Sequence, residues 1–262
     1  FVPQKDNVKI NILKLKNLEP NRRKLKLFYY IKPVLGEDEI KTNGYIEVLK
    51  EGNLIKVKNL YQDNFKENIT FVSSSEKIKS YTGNKNSFIG DGDIKTPEAL
   101  DKVSLDNVSG LGQNSCIAIE IEIELESFED KEIILQFGEE ETLLDAKDVA
   151  YNYSKISNCI QELNKVKTYW YDLLNKVQVN TPIESINIML NGWAEYQTIV
   201  SRLWAKSAYY QSGGATGFRD QLQDTLGLKY IDIEFMKKQI LISCRHQFIE
   251  GDVEHWWHDE TG

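Results

Sequence analysis

The feature that most constrains this chain is a change of hydrophobic period near residue 140. Up to that point apolar side chains recur at every second residue, the spacing that turns one face of a strand toward a core. Beyond it they recur every three and four residues, the spacing of a helix with one buried stripe. Strands followed by helices exclude an alternating βαβ sheet and point to an α+β chain. Val8 to Leu18, Lys24 to Lys32 and Ile69 to Val72 read as strands. Two apolar runs between Gly44 and Tyr61 flank Lys50-Glu51-Gly52-Asn53, a hairpin signal. Cys116 to Leu125 alternates most cleanly, and Glu132 to Phe137 follows it. Pro3, Pro20, Pro33 and Pro97 fall in this part, as expected for strands joined by turns. Tyr81 to Ser115 is rich in Gly, Asn, Asp and Ser, and a loop that long in a compact domain is either mobile or functional.

In the second part, Thr142 with Asp145 resembles a capping box and opens a helix through about Leu174. Its stripe is Tyr153, Ile156, Ile160, Leu163, Val166, Trp170 and Leu173. Thr181-Pro182-Ile183-Glu184 supplies an N-cap, a proline at the first helical position and an acid two residues on, predicting a helix to Ser207. Gly213 to Gly217 interrupts the pattern before a short helix from Phe218 to Leu226, and Asp232 caps a last helix from Ile233 to Phe248. Trp193, Tyr196 and Trp204 read as core, and His246 as a structural residue in mid-helix. These boundaries divide the chain into an all-β domain over 1–140, a helical linker over 141–180 and a further helical region over 181–262.

Composition narrows the partners. A net charge of −8 lacks the basic footprint of a nucleic-acid binder. No apolar run approaches the roughly 20 residues that span a bilayer, so no membrane partner is expected. No signal peptide opens the chain, and a cytoplasmic location is the expectation. Cys116, Cys159 and Cys244 are odd in number and far apart, and read as buried free thiols. Asn-x-Ser/Thr triplets at Asn68, Asn107 and Asn152 read as chance. The chain begins at Phe1 and runs from an aromatic cluster straight into Glu260-Thr261-Gly262, which suggests a segment of something longer.

The densest chemistry lies between Tyr209 and Asp224, where glycines precede Arg219, Asp220, Gln221 and Asp224. Gln211 belongs to the same stretch. Asp220 and Asp224 are four apart and share a helix face. Carboxylates accept sugar hydroxyl protons and a guanidinium donates, so the cluster suits a polyhydroxylated ligand; a solvated capping arrangement is the bland alternative. Arg219 and the helix start both favour an ionised Asp220, which fits gripping a substrate and not donating a proton. The Gly-Gly-x-x-Gly run is not a phosphate-cradling Walker loop, because no Gly-Lys-Ser/Thr follows. The second cluster runs from Glu250 to Asp259, with His255, Trp256, Trp257 and His258. Indole faces pack on the C–H faces of sugar rings and imidazoles add hydrogen bonds. Core packing of the tryptophans and a zinc site on His255 and His258 are the rivals. Gly90-Asp91-Gly92-Asp93 suggests calcium but lacks the twelve-residue EF-hand pattern, so a plain turn is expected.

Read in order, Asn191-Gly192-Trp193, Arg202-Leu203-Trp204-Ala205, Gln211-Ser212-Gly213-Gly214-Ala215, Gly217-Phe218-Arg219-Asp220-Gln221-Leu222-Gln223-Asp224 and Gly251-Asp252-Val253-Glu254-His255-Trp256-Trp257-His258 resemble glycoside hydrolase family 94, formerly glycosyltransferase family 36. The branch they look most like is that of β-1,2-oligoglucan phosphorylases and cyclic β-1,2-glucan synthases. Phe88-Ile89-Gly90 and Pro97-Glu98-Ala99-Leu100 look like a loop of the family's sandwich domain. The resemblance implies the latter part of a β-sandwich over 1–140, a linker helix, and the first helices of an (α/α)6 barrel from 181. It further implies inverting phosphorolysis of a β-glucan oligosaccharide to α-glucose 1-phosphate. No cofactor is needed, inorganic phosphate being the co-substrate. The family's acid lies in a Trp-Asn-Asp motif, which this sequence lacks, so no catalytic residue is expected here. Asp220 matches a position that grips the glucosyl unit, with Arg219, Gln221 and the His255–His258 stretch lining the same cleft. Cellobiose-type members carry a sugar-contacting arginine where Gly214 stands, which favours the β-1,2 branch. A non-catalytic carbohydrate-binding module is the alternative. A barrel missing most of its helices should expose apolar faces, so self-association, including a homodimer, is expected.

Overall fold

The computed structural model describes all residues except 37–38, 62–64, 113, 208–213 and 260–262. The chain forms two compact units, Phe1–Val166 and Lys167–Gly262.

The first unit follows the alternating half of the sequence. Its strands are β1 (Val8–Lys16), β2 (Arg23–Ile31), β3 (Ile46–Glu51), β4 (Leu54–Asn59), β5 (Ile69–Ser74), β6 (Ser80–Asn84), β7 (Gly110–Leu111), β8 (Ser115–Leu125) and β9 (Asp130–Glu140), with a one-turn helix α1 (Glu39–Thr42) between β2 and β3. They build a six-stranded antiparallel sheet, ordered β1-β9-β5-β4-β3-β7, and a three-stranded one, β2-β8-β6. Ile46, Val48, Ile55, Val57 and Val72 of the larger sheet meet Ile117, Ile119, Ile121 and Ile123 of the smaller, which makes a sandwich with a branched aliphatic core. The outer face of the larger sheet presents Ile10, Ile69, Phe71 and Ile134 to Ala146, Tyr153 and Cys159. Gly138 sits where a Cβ would come within 2.7 Å of the Asn7 carbonyl and 2.8 Å of the Phe71 ring.

Among the described residues, the stretch from Tyr81 to Ser115 carries structure of its own. After β6 it forms α2 (Lys85–Ile89), a 3₁₀ turn (Glu98–Asp101) and β7. Phe88, Ala99 and Leu105 pack on Cys116 and Ala118, so β8 is buried on both faces along its first half. Glu120 of β8 is fully buried beneath this cover. It accepts from the Ser80 hydroxyl and from Leu105 N (3.3 Å), with Lys26 3.5 Å away. The Lys26 ammonium also donates to the Lys102 and Val103 carbonyls. At Gly90 (φ 65°) a Cβ would strike the Glu98 carboxyl, whose Oε1 accepts from Asp91 N. Asp93 accepts from Lys95 N and Thr96 N, which draws its carboxyl below the usual range and closes a turn at the Gly90-Asp91-Gly92-Asp93 run.

The capping signal at Thr142 is realised: its hydroxyl accepts from Asp145 N at 3.1 Å. The single helix expected beyond it is instead two, α3 (Leu143–Asn152) and α4 (Ile156–Leu174). Buried Tyr153 ends the first, with its hydroxyl on Asp6, and Asn158 reaches back to the Asn152 carbonyl at 2.9 Å. A helix continuing through this corner would lose both anchors.

In the second unit a continuous helical run covers 184–204. It alternates α5 (Glu184–Ile188) and α6 (Ala194–Gln197) with wider π segments, Met189–Trp193 and Thr198–Trp204. The run starts later than the Thr-Pro signal indicates. Asn187 Oδ1 accepts from Thr181 N and from its hydroxyl, which folds the Thr-Pro segment into a turn ahead of the helix. Next come α7 (Phe218–Asp224), a 3₁₀ turn (Thr225–Leu228) and α8 (Ile233–Cys244), capped by Asp232 through Phe235 N at 2.9 Å. Leu173, Ile199, Leu203, Leu228 and Ile231 form the core of this unit. Trp193, Tyr196 and Trp204 are exposed instead of buried. Tyr196 packs edge-on and Trp204 tilted against Trp170, with ring centroids at 4.8 and 5.6 Å. Cys116 and Cys159 are buried thiols, whereas Cys244 is exposed. No helix among the described residues is long and apolar enough to cross a membrane.

Candidate functional site

The two polar-aromatic clusters singled out in the sequence meet in the second unit. Thr216–Gly217 forms β10 and pairs antiparallel with β11, Trp256–Trp257, in the register Thr216↔Trp257 and Gly217↔Trp256. Phe218 N donates to the His255 carbonyl at 3.2 Å, extending the ribbon into the start of α7. Arg219 and Asp220, on the first turn of α7, therefore stand beside Trp256 and its neighbours.

Successive residues of a strand point to opposite sides, and this separates the two tryptophans. Trp257 is 3% exposed; Trp256 is 56% exposed, with the His258 ring edge-on to it at 5.4 Å. His255, Arg219 and Asp220 are exposed as well. Exposed Trp256, His255, Arg219 and Asp220, with half-buried His258, supply an indole, imidazoles, a guanidinium and a carboxylate around the ribbon and the start of α7. Each is a donor, acceptor or apolar platform of the kind a sugar ring uses.

Three of the expected ligand residues face inward instead. Gln221 is 3% exposed, and its Oε1 accepts from Gly217 N at 2.6 Å, so it holds the ribbon against α7. Asp224 Oδ2 accepts from Arg202 Nε at 2.8 Å, and Arg202 Nη1 reaches the Ser207 carbonyl at 2.8 Å. Trp257 donates from Nε1 to Asp259 at 3.1 Å. Gln211 lies outside the described residues.

Five residues outside the expected ligand set surround Trp257: Asp259, Lys206, Thr216, His246 and Glu254. Asp259 takes the Lys206 ammonium as well as Trp257, and Thr216 donates to it at 3.4 Å. Burial pushes the Asp259 carboxyl up, but the hydrogen bond and charge of Lys206 outweigh this and hold it below its usual value. His246 is not in mid-helix: α8 stops at Cys244, and His246 begins a hairpin closed by a Gln247↔Val253 bridge. Its ring stacks on Trp257 at 3.7 Å and 13°, and its Nδ1 lies 2.8 Å from Glu254 Oε2. Only the Trp-Trp alternation could have pointed to this inner layer from sequence.

Among the described residues no group of three or more His, Cys, Asp or Glu is disposed to hold a metal ion, so His255 and His258 gain no third ligand there. A cavity of about 320 Å³ in the first unit is lined by Asn7, Asn68, Glu139, Glu140, Glu141 and Asp145. Burial first, and then the surrounding acids Asp6, Asp145 and Glu141, raise the Glu140 carboxyl above its usual range.

A sandwich followed by helices makes this an α+β chain. Two family descriptions match it: the supersandwich domain of glycosyl hydrolase 94 over residues 1–156, and the catalytic domain of the same superfamily over 169–261. The chain belongs to the glycosyl hydrolase 94 family. It is 30% identical over 249 residues to the cyclic beta-(1,2)-glucan synthase NdvB of Rhizobium meliloti (strain 1021), covering 94% of this chain and 9% of that protein. It is 23% identical to the N,N'-diacetylchitobiose phosphorylase of Vibrio proteolyticus, over 96% of this chain and 32% of the relative. A solved structure described as a putative kojibiose phosphorylase from human microbiome shares the fold, with a TM-score of 0.52 at 15% identity, covering 94% of this chain and 33% of its own. The chain therefore spans a third or less of the length of these relatives.

Proposed function

We propose that this chain is the sandwich-to-catalytic-domain segment of a glycoside phosphorylase. On this reading, residues 1–140 are the latter part of the sandwich, 141–180 the helical linker and 181–262 the start of the (α/α)6 barrel. The reaction is inverting phosphorolysis of a β-glucoside, in which an oxygen of inorganic phosphate attacks the anomeric carbon, the glycosidic bond breaks, the rest of the sugar leaves as an alcohol, and α-glucose 1-phosphate forms. Phosphate arrives as an anion, so the reaction needs an acid for the departing oxygen but no base to activate water. That acid is supplied by a part of the protein beyond these residues. This segment contributes grip. Asp220 accepts glucosyl hydroxyl protons, Arg219 donates, and Trp256 with His255 and His258 forms the platform under the ring.

The observation that supports the reading is the β10–β11 ribbon, which pairs the strand just ahead of α7, with exposed Arg219 and Asp220 on its first turn, to the strand that carries exposed Trp256. Similarity to a cyclic beta-(1,2)-glucan synthase supports β-1,2-linked glucose as the substrate. The test is release of α-glucose 1-phosphate by the full-length protein from sophorose and longer β-1,2-glucans, with and without phosphate. Phosphate-dependent release from the β-1,2 sugars is expected. Release from cellobiose alone would overturn the linkage. Sugar binding with no phosphate-dependent turnover would favour a binding module.

A further inference from the structure

We infer that His246 is a positioning residue for the sugar-facing side of the ribbon, acting through the indole of Trp257. The inference rests on the sugar-binding reading above and adds the device that holds the platform in place.

Trp256 and Trp257 are adjacent on one short strand, so the orientation of the inner indole fixes that of the outer one. A strand of two residues has little pairing of its own, and its orientation depends on what clamps the inner ring. The indole of Trp257 is clamped at two places. Its edge donates from Nε1 to Asp259, whose carboxylate also gathers Lys206 and Thr216. Its face lies on the His246 imidazole, nearly parallel. The imidazole cannot turn freely, because Nδ1 is held by Glu254 from the returning arm of the hairpin. The backbone of that arm is fixed too: Glu254 N donates to the His246 carbonyl at 3.0 Å, and Phe248 N to Asp252 O at 2.8 Å. The end of α8 thus props the ribbon from below. Through the Gly217↔Trp256 register the same prop sets the first turn of α7, where Asp220 sits. Without the stacked ring, Trp257 can rotate, and the ribbon that carries Trp256 and leads into Asp220 loses that prop.

The experiment is calorimetric titration of the full-length protein with sophorose, using His246→Ala, His246→Gln and His246→Phe, with Trp256→Ala and Asp220→Asn as references. An aromatic stack of this kind corresponds to about a two- to tenfold change in affinity. His246→Ala and His246→Gln are expected to weaken sophorose binding by that factor, and His246→Phe, which keeps a ring on Trp257, to restore it. The Trp257 indole N–H resonance should move in the Ala and Gln variants, as the ring current of the stacked neighbour disappears. Unchanged binding in His246→Ala, with Trp256→Ala and Asp220→Asn impaired, would overturn this inference and leave the sugar site standing. Unchanged binding in Trp256→Ala and Asp220→Asn would overturn the sugar site itself. If His246→Ala does not fold, restoration by Gln but not by Phe would equally refute positioning through the stack.

Discussion

Asp220 and Asp224 lie one helical turn apart, yet Asp224 is paired with Arg202 while Asp220 is in no ion pair among the described residues, and paired substitutions test whether the two do different work. Asp224 forms a close pair with Arg202, the two side chains being 25% and 31% exposed. A hydrogen bond between charged partners contributes about 1.5–3 kcal/mol, and partial exposure puts this one near the lower end. Asp224→Ala should therefore cost about 1.5–2 kcal/mol, and Arg202→Ala a similar amount. The double variant should fall well short of their sum, since each substitution removes the same interaction. Asp220 is exposed and in no ion pair among the described residues, so Asp220→Asn should change stability by less than about 0.5 kcal/mol. Its effect should appear in sugar affinity, where losing a charged acceptor corresponds to about ten- to a hundredfold. Urea unfolding followed by tryptophan emission is a suitable assay, because all five tryptophans lie in Lys167–Gly262 and report that unit alone. Equal destabilisation by Asp220→Asn and Asp224→Ala, or additive losses in the Arg202–Asp224 cycle, would refute the division of labour.

Two further outcomes follow from local geometry. Gly138→Ala places a methyl group against the Asn7 carbonyl and the Phe71 ring, both held by the sheet, and should destabilise the first unit by about 1–3 kcal/mol in urea unfolding monitored by circular dichroism; a neutral variant would contradict the packing. Asp259 titrates below its ordinary value in the folded chain, so its stabilising effect is present above the unfolded value and is lost as pH falls through the folded one. Wild type should therefore lose stability on acidification more steeply than Asp259→Asn, and melting curves that stay parallel across the acid range would contradict the Lys206–Asp259 pairing.

The strands were legible because a period of two reports one buried face, and seven of the nine strands of the sandwich contain buried residues. Where a second cover exists the pattern stops being informative. The isoleucines of β8 alternate visibly, but nothing local shows that Cys116, Ala118 and Glu120 are roofed by the stretch that follows β6. That roof is held by a lysine, a buried glutamate and a glycine accommodating a carboxyl, all contacts between residues distant in sequence. Helix starts were legible where the cap is local, as at Thr142 and Asp232. Stops were less so, because the breaks at Tyr153 and Cys244 are fixed by tertiary anchors on Asp6 and on Trp257. The site shows the same limit at finer grain. Helical spacing places Asp220 and Asp224 on one face, but Arg202, supplied by another helix, decides which of them remains free. The sequence offered both Trp256 and Trp257 to a ligand; their alternation follows only once they are known to form a strand, and alternation does not say which one turns inward. That is settled by His246 and Asp259, one arriving from the end of α8 and the other tied to Lys206 and Thr216. Residue types in the two clusters are thus enough to suggest a sugar surface, while the assignment of each residue to grip or support depends on neighbours that only the fold brings to it.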